Sequence, residues 1–157
     1  MKQTVLVTEA TSGIGEATAK KFAEAGHRLI ITGRRRDRLD KLEALLKKEY
    51  HCEVLSLNFD VRVKDEVEKH LGHLPSGWED IDILVNNAGL AVGLGHIDDG
   101  DVDDWERMID TNVKGLLYVT RTISPGMVKR NKGHIINIAS IAGKQVYENG
   151  AVYCASK

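Results

Sequence analysis

A doubly wound α/β fold built on a parallel sheet is predicted by three features of this sequence. Short β-branched runs alternate with amphipathic segments, the runs are almost continuously apolar, and a glycine-containing loop joins the first run to the first amphipathic segment. Strands covered by helices on both faces need that apolar continuity, and strands separated by helices favour parallel pairing.

The N-terminal residues Met1 to Val7 read as a short apolar strand centred on Thr4-Val5-Leu6-Val7. A helix is expected from about Gly13, with Ile14, Thr18 and Phe22 sharing one face and Gly26 as its stop signal. Leu29-Ile30-Ile31-Thr32 is the second strand. Leu39, Leu42 and Leu46 then form a helical stripe, with Asp37–Lys41 and Glu43–Lys47 as pairs on the solvated side. Val54-Leu55-Ser56-Leu57 is the third strand, and Val63, Val67 and Leu71, closed by Gly72, make the third helix. Pro75-Ser76-Gly77 turns the chain into a fourth strand, Ile81 to Val85. Asp101 is a plausible N-cap for one long helix reaching about Arg130, with Ile109, Leu116, Val119 and Ile123 apolar and Gly133 closing it. Ile135-Ile136-Asn137-Ile138 is the fifth strand. There is no internal repeat, low-complexity tract or linker, so residues 1–157 are expected to form one domain.

The chain has 157 residues, 42% of them apolar and 29% charged, with a net charge of -1. That size suits a single packed core. The near-zero charge argues against nucleic-acid or anionic-membrane partners and favours a small-molecule ligand. Cys52 and Cys154 are too few and too separated for a disulfide framework or a structural zinc site. His70 and His73 could share a helical face, but without a third ligand they read as a surface pair, and no metal is expected. Met1 to Val7 lacks a signal peptide's apolar region and cleavage site, and no run approaches membrane-spanning length, so a cytoplasmic location is expected.

Thr8-Glu9-Ala10-Thr11-Ser12-Gly13-Ile14-Gly15 lies between the first strand and first helix, where free amides and the helix dipole favour a pyrophosphate and glycine permits close backbone approach. A glycine pair also serves an ordinary turn; its placement after a strand and before an amphipathic helix favours cofactor binding. Folds that bind NAD this way commonly carry a carboxylate about 20 residues beyond the loop to hold the ribose. Here Gly33 is followed by Arg34, Arg35 and Arg36, which suit a 2′-phosphate, so NADP is preferred over NAD. The competing reading is a solvated first turn or a nucleic-acid patch, and Asp37 and Asp40 dilute the latter.

Tyr153 and Lys157 are spaced i,i+4, so on a helix the ammonium lies one turn from the phenol and favours its phenolate form. Ser140 follows the fifth strand at the carboxyl edge, where open α/β sheets place ligands, and Asn112 falls within the long helix. Singly, Ser140 could bond a turn backbone, Asn112 could be a satisfied buried amide and Tyr153 a half-buried aromatic. Cys154 reads as a small helix residue.

Together with Asn86-Asn87-Ala88-Gly89 and Asp60-Val61, these residues resemble the short-chain dehydrogenase/reductase family throughout residues 1–157. Thr32-Gly33-Arg34-Arg35, Asn86 to Leu90, Trp105 to Gly115 and Gly133 to Ile138 look closest to its branch of NADP-dependent 3-hydroxy acid (serine or allo-threonine) dehydrogenases. The resemblance implies a Rossmann-like sheet of order 3-2-1-4-5 and hydride transfer between nicotinamide and a small hydroxy acid or hydroxy amino acid. It implies Tyr153 as proton donor or acceptor, Ser140 as a hydrogen bond to the reacting oxygen, Lys157 at the nicotinamide ribose and Asn112 in a water-borne proton relay. It further implies cofactor contacts from Thr8, Glu9, Thr11, Ser12, Gly13, Ile14, Gly15, Arg34, Arg35, Asp60, Val61, Asn87, Gly89, Tyr153 and Lys157. Asp60 and Val61 would meet the adenine, Asn87 the adenosine ribose, and Arg34 and Arg35 the 2′-phosphate.

Two departures from the family pattern stand out. Glu9 occupies a position that is usually glycine, where a side chain strains a left-handed backbone by about 1–2 kcal/mol and its carboxylate faces an anionic cofactor, so weaker NADPH affinity is expected. Family members also continue past the lysine, with the rest of that helix and two more strands. A chain stopping at Lys157 would leave the fifth strand as an open edge, for which poor catalysis and homo-oligomerisation are expected. The alternative to an oxidoreductase is a non-catalytic nucleotide-binding or oligomerising module.

Overall fold

The computed structural model describes residues 2–93 and 95–157; Met1, assigned above to the first strand, lies outside them. Five parallel strands form one sheet: β1 (Thr4–Val7), β2 (Arg28–Gly33), β3 (Val54–Asn58), β4 (Ile83–Asn86) and β5 (His134–Asn137). Their order is β3-β2-β1-β4-β5, as the resemblance implied. Register is continuous across the sheet, for example Ile30 beside Leu6, Leu6 beside Leu84 and Leu84 beside Ile135.

The period-2 pleat divides the strand side chains between two cores. Val5, Val7, Leu29 and Ile31 pack with Ala19 and Ala23 of α1 (Gly13–Glu24) and Leu39, Leu42 and Leu46 of α2 (Arg36–Tyr50). Leu6, Ile30 and Leu84 face the other way, against Val67 and Leu71 of α3 (Lys64–Leu71) and Val119, Ile123 and Met127 of α5 (Leu116–Lys129). Full burial of one such side chain contributes about 1.5–3 kcal/mol.

Three sequence expectations are corrected. On α1 the buried residues are Gly15, Ala19 and Ala23, whereas Ile14 is 62% exposed and Thr18 and Phe22 are half-buried. The helix lies so close to β1 and β2 that only small residues fit beneath it, which pushes the larger apolar stripe to the flank. On α2, Glu43 pairs with Lys47 as expected, but the other pair is Arg36–Asp40; no Asp37–Lys41 pair forms among the described residues.

The long helix is not uniform. It comprises α4 (Val102–Ile109), a π-helical turn over Asp110–Gly115, and α5. Asp101 caps its start, its side chain accepting from the Asp103 N–H at 2.9 Å. The wider turn shifts the inward face: Met108, Thr111, Asn112, Gly115 and Val119 are buried, while Ile109 is exposed and Leu116 only half-buried. Such turns inside helices recur at functional sites. Gly115 lets this turn pack on Val61, since a Cβ there would stand 2.9 Å from Val61 Cγ2.

The remaining boundary shifts are small. Val63 is the residue before α3, and Ile81 precedes β4 as a buried residue outside the sheet. Ile138 likewise falls just after β5, although its N–H still donates to Asn86 O at 3.0 Å. His70 stacks on Phe59, its ring 5.1 Å from the phenyl centroid, with Nδ1 2.8 Å from Glu66 O. Among the described residues no helix is long and apolar enough to cross a membrane.

Candidate active site

The carboxyl ends of β1, β2, β4 and β5 open into one cleft of about 550 Å³. Its walls bring together Glu9, Ser12 and Ile14 from the first loop, Arg34 and Arg35 after β2, Asn87 and Gly89 after β4, Ser140 after β5, and Tyr153 and Lys157 of α6 (Ala151–Ser156) and its end. Sequence reasoning selected all ten. It missed Leu90, Ala91, Ile138 and Ala139, which also line the cleft. They are small or apolar residues whose type carries no chemical signal.

The first loop is fixed from beneath. Thr8 Oγ1 accepts from the N–H groups of Asn87 and Ala88, both at 3.0 Å, and Asn87 Nδ2 donates to the carbonyls of Thr8 at 2.9 Å and Glu9 at 3.1 Å. Ala10 N–H donates to Thr32 O at 2.8 Å. A Cβ on Gly15 would stand 2.4 Å from Asn87 Nδ2 and 2.6 Å from Glu9 O, and one on Gly33 would stand 2.7 Å from Thr11 Cγ2. The loop and the start of α1 thus pack against β4's end at glycine distance. Ser12 gives α1 no side-chain cap, and Gly13 takes φ +55°. A helix start without its own cap leaves N–H groups for an anion, which fits a pyrophosphate.

Arg35 reaches back over this loop, donating to Thr11 Oγ1 at 3.2 Å and Ser12 Oγ at 3.0 Å. Glu9 has φ +48°, the left-handed conformation expected of a glycine position, and its carboxylate accepts from Arg34 Nε at 3.0 Å. Bonds on both sides of the residue hold this conformation despite a strain of about 1–3 kcal/mol. The two arginines therefore differ: Arg35 contacts hydroxyls, Arg34 a carboxylate.

Asp60 and Val61 do not reach the cleft lining. Val61 is buried in the core beneath the π-helical turn. Asp60 takes a two-pronged contact from Arg62, 2.6–3.1 Å long, with Arg34 Nη1 at 4.0 Å. Burial alone pushes its carboxyl up, but the Arg62 hydrogen bonds and charge, helped by Arg34, bring it below its ordinary value.

Asn112 is buried and fully engaged, yet it is not a wall of the cleft. Its Oδ1 accepts from Leu90 N–H at 2.7 Å, and its Nδ2 donates to Leu90 O and Ser156 Oγ, both at 2.8 Å. The side chain thereby ties the loop after β4 to α6. Ser140 Oγ accepts from Ala142 N–H at 3.2 Å, starting a 3-10 turn over Ile141–Gly143. That contact leaves its hydroxyl hydrogen available to a ligand. Tyr153 is half-buried on the same wall. Lys157 Nζ donates to Ile138 O at 2.8 Å, and a Cβ on Gly89 would stand 3.3 Å from that nitrogen. A bare backbone at Gly89 gives the ammonium its place. The Ile138 carbonyl as its anchor was missed, because backbone acceptors leave no trace in residue type.

The chain that carries this cleft has relatives among known proteins. The short chain dehydrogenase family profile matches residues 3–157. An NADP-dependent 3-hydroxy acid dehydrogenase, YdfG of Salmonella typhi, is 54% identical over 153 residues, covering 98% of this chain and 60% of that protein. The crystal structure of serine dehydrogenase from Escherichia coli gives a TM-score of 0.90 at 50% identity, covering 99% of this chain and 69% of that one. A closed form of serine dehydrogenase complexed with NADP+ gives 0.91 at 50% identity, covering 99% and 61%. The chain spans about three fifths of the length of the curated relatives it matches.

Proposed function

The chain belongs to the short-chain dehydrogenase family, and from that premise we propose that it forms the cofactor-binding and proton-handling part of an NADP-dependent oxidoreductase acting on a small hydroxy acid or hydroxy amino acid. The observation that carries this reading is the shared cleft, whose walls join Arg34 and Arg35 to Ser140, Tyr153 and Lys157. The relatives' names supply the substrate class. Residues 1–157 act as one domain in this reading.

NADP, when bound, supplies a hydride acceptor for alcohol oxidation and, once reduced, the donor for the reverse. Arg34 and Arg35 hold the 2′-phosphate, and Thr11, Ser12, Gly13, Ile14 and Gly15 hold the pyrophosphate by backbone N–H groups and the α1 dipole, while Thr8, its own N–H bonded to Val85 O, fixes the loop from beneath. Asn87 and Gly89 border the ribose, whereas Asp60 and Val61, which the family resemblance puts at the adenine, lie outside the cleft lining. Tyr153 Oη takes the proton of the substrate hydroxyl as its carbon becomes a carbonyl, and returns it in reduction. Ser140 donates its hydroxyl hydrogen to the reacting oxygen. Lys157, held by Ile138 O, sets its amine one helical turn from the phenol, at the nicotinamide ribose. Asn112 fixes the spacing between the loop after β4 and α6, and so acts as a positioning residue.

The test is a titration with NADPH followed by nicotinamide fluorescence, then assay with serine, allo-threonine or 3-hydroxypropionate. Saturable binding, with turnover that disappears in Tyr153→Phe, supports the oxidoreductase. Saturable binding without turnover of any of the three favours the non-catalytic nucleotide-binding module, and no binding of NADPH or NADH refutes both.

A further inference from the structure

The Glu9–Arg34 contact joins two loops, involves a residue with a strained backbone, and is placed where the cofactor's extra phosphate is proposed to bind. Glu9 Oε1 lies 3.0 Å from Arg34 Nε, and Asp60 Oδ2 lies 4.0 Å from Arg34 Nη1. One guanidinium therefore faces two carboxylates. Asp60 already has a partner in Arg62 at 2.6 Å, so Glu9 is the carboxylate whose nearest cation is Arg34. The Glu9 side chain is only 18% exposed, whereas Arg34 is 47% exposed, so the acid sits beneath the arginine rather than in solvent. Its backbone cannot easily swing it away: φ is +48°, and Asn87 Nδ2 clamps the Glu9 carbonyl at 3.1 Å.

From this geometry we infer that Glu9 is a specificity-determining residue: its carboxylate occupies Arg34 and narrows the preference for a 2′-phosphorylated dinucleotide over its unphosphorylated counterpart. The inference rests on the cofactor reading above and deepens it. A 2′-phosphate carries nearly two negative charges and must either displace Glu9 from Arg34 or lie beside it, and both oppose binding. A free 2′-hydroxyl meets no such penalty, because a carboxylate at the ribose is the partner that NAD-binding folds of this kind use. Arg35, whose contacts are the hydroxyls of Thr11 and Ser12, remains as the arginine that still favours the phosphate.

The experiment measures dissociation constants of NADPH and NADH, by nicotinamide fluorescence, for the unchanged chain, Glu9→Gln, Arg34→Ala and the double variant. Glu9→Gln keeps side-chain size and backbone strain while removing the charge. It is expected to tighten NADPH about tenfold, about 1.4 kcal/mol, and NADH less than about twofold. That gain should vanish when Arg34 is also alanine. Glu9→Gly, which relieves the left-handed strain as well, should shift the NADPH/NADH ratio in the same direction and serves if Glu9→Gln folds poorly. An unchanged ratio in both Glu9 variants, or equal tightening of both dinucleotides, overturns the inference while leaving the cofactor reading intact. A gain that persists without Arg34 overturns it too. Failure of every variant and the unchanged chain to bind either dinucleotide overturns the cofactor reading, and the inference with it.

Discussion

The two ends of the cleft are built on different foundations. The end proposed to bind phosphate rises from β1 and β2, where Val5, Leu6, Val7, Leu29, Ile30 and Ile31 are wholly buried and hydrogen bonds pin the loop above. The end proposed for proton transfer rises from β5, with exposed residues at three of its four positions, and from a six-residue helix. A rigid base can hold a strained residue such as Glu9 in place. At the β5 end, position is fixed instead by a few polar ties, chiefly Asn112 to Leu90 and Ser156, and Lys157 to Ile138. Binding of the nucleotide should therefore be robust, and chemistry sensitive to single side chains.

The largest effect expected is on chemistry. Tyr153→Phe should lower turnover by about 10²–10⁴-fold, the usual range for losing a positioned acid or base, while the NADPH dissociation constant stays within about twofold. A parallel loss of binding would place the phenol in the foundation rather than in the reaction.

Next come substitutions that compare the foundations directly. Leu84 and Ile135 are register partners on adjacent strands, the first buried and the second 36% exposed. Leu84→Ala should cost about 2–5 kcal/mol in a denaturant melt, and Ile135→Ala less than about 1 kcal/mol. Similar losses would show that β5 is as firmly embedded as β4. Gly15→Ala falls between them at about 1–3 kcal/mol, because its methyl group would collide with Asn87 Nδ2 and Glu9 O.

Most of the architecture was legible because it follows from periodicity. The apolar runs gave strand identity, and Gly26 and Gly72 marked where helices end, whereas α5 stops at Lys129, before Gly133, with Asn131 taking the left-handed turn. The π-helical turn was not legible: Asp110–Gly115 contains no proline, its one glycine does not distinguish a widened turn from an ordinary one, and the residue pattern of a helix does not encode whether its bonds run to the fourth or fifth residue. The α1 face was misread because tight helix–sheet packing selects small residues, and Gly15, Ala19 and Ala23 weigh little in an apolar count. In the site, Arg34, Arg35, Ser140, Tyr153 and Lys157 could be named from type and spacing, and the left-handed conformation of Glu9 from the family resemblance, which puts glycine there. Which acid would find which base could not, since the Glu9–Arg34 pair joins residues on two different loops.

The smallest effect is acid sensitivity at the amino end of the sheet. Asp82 accepts from Thr4 N–H at 3.0 Å and pairs with Lys132 at 2.7 Å. Burial pushes its carboxyl up, but the Lys132 hydrogen bond and charge and the Thr4 N–H outweigh it and leave it below its ordinary value. Its contribution to stability is thus complete above the unfolded value of about 3.9 and drains away as pH falls through the lower folded value. Asp82→Asn should flatten that acid limb of a stability–pH curve, and an unchanged limb would contradict it.

The central claim is that one cleft joins a 2′-phosphate clamp to the proton-transferring phenol. Titration of Arg35→Ala with NADPH and NADH tests it most directly, because Arg35, unlike Arg34, has no carboxylate partner among the described residues. The account predicts at least a tenfold loss for NADPH, about 1.4 kcal/mol, with NADH nearly unchanged. Equal affinities of the variant and the unchanged chain for NADPH would contradict it.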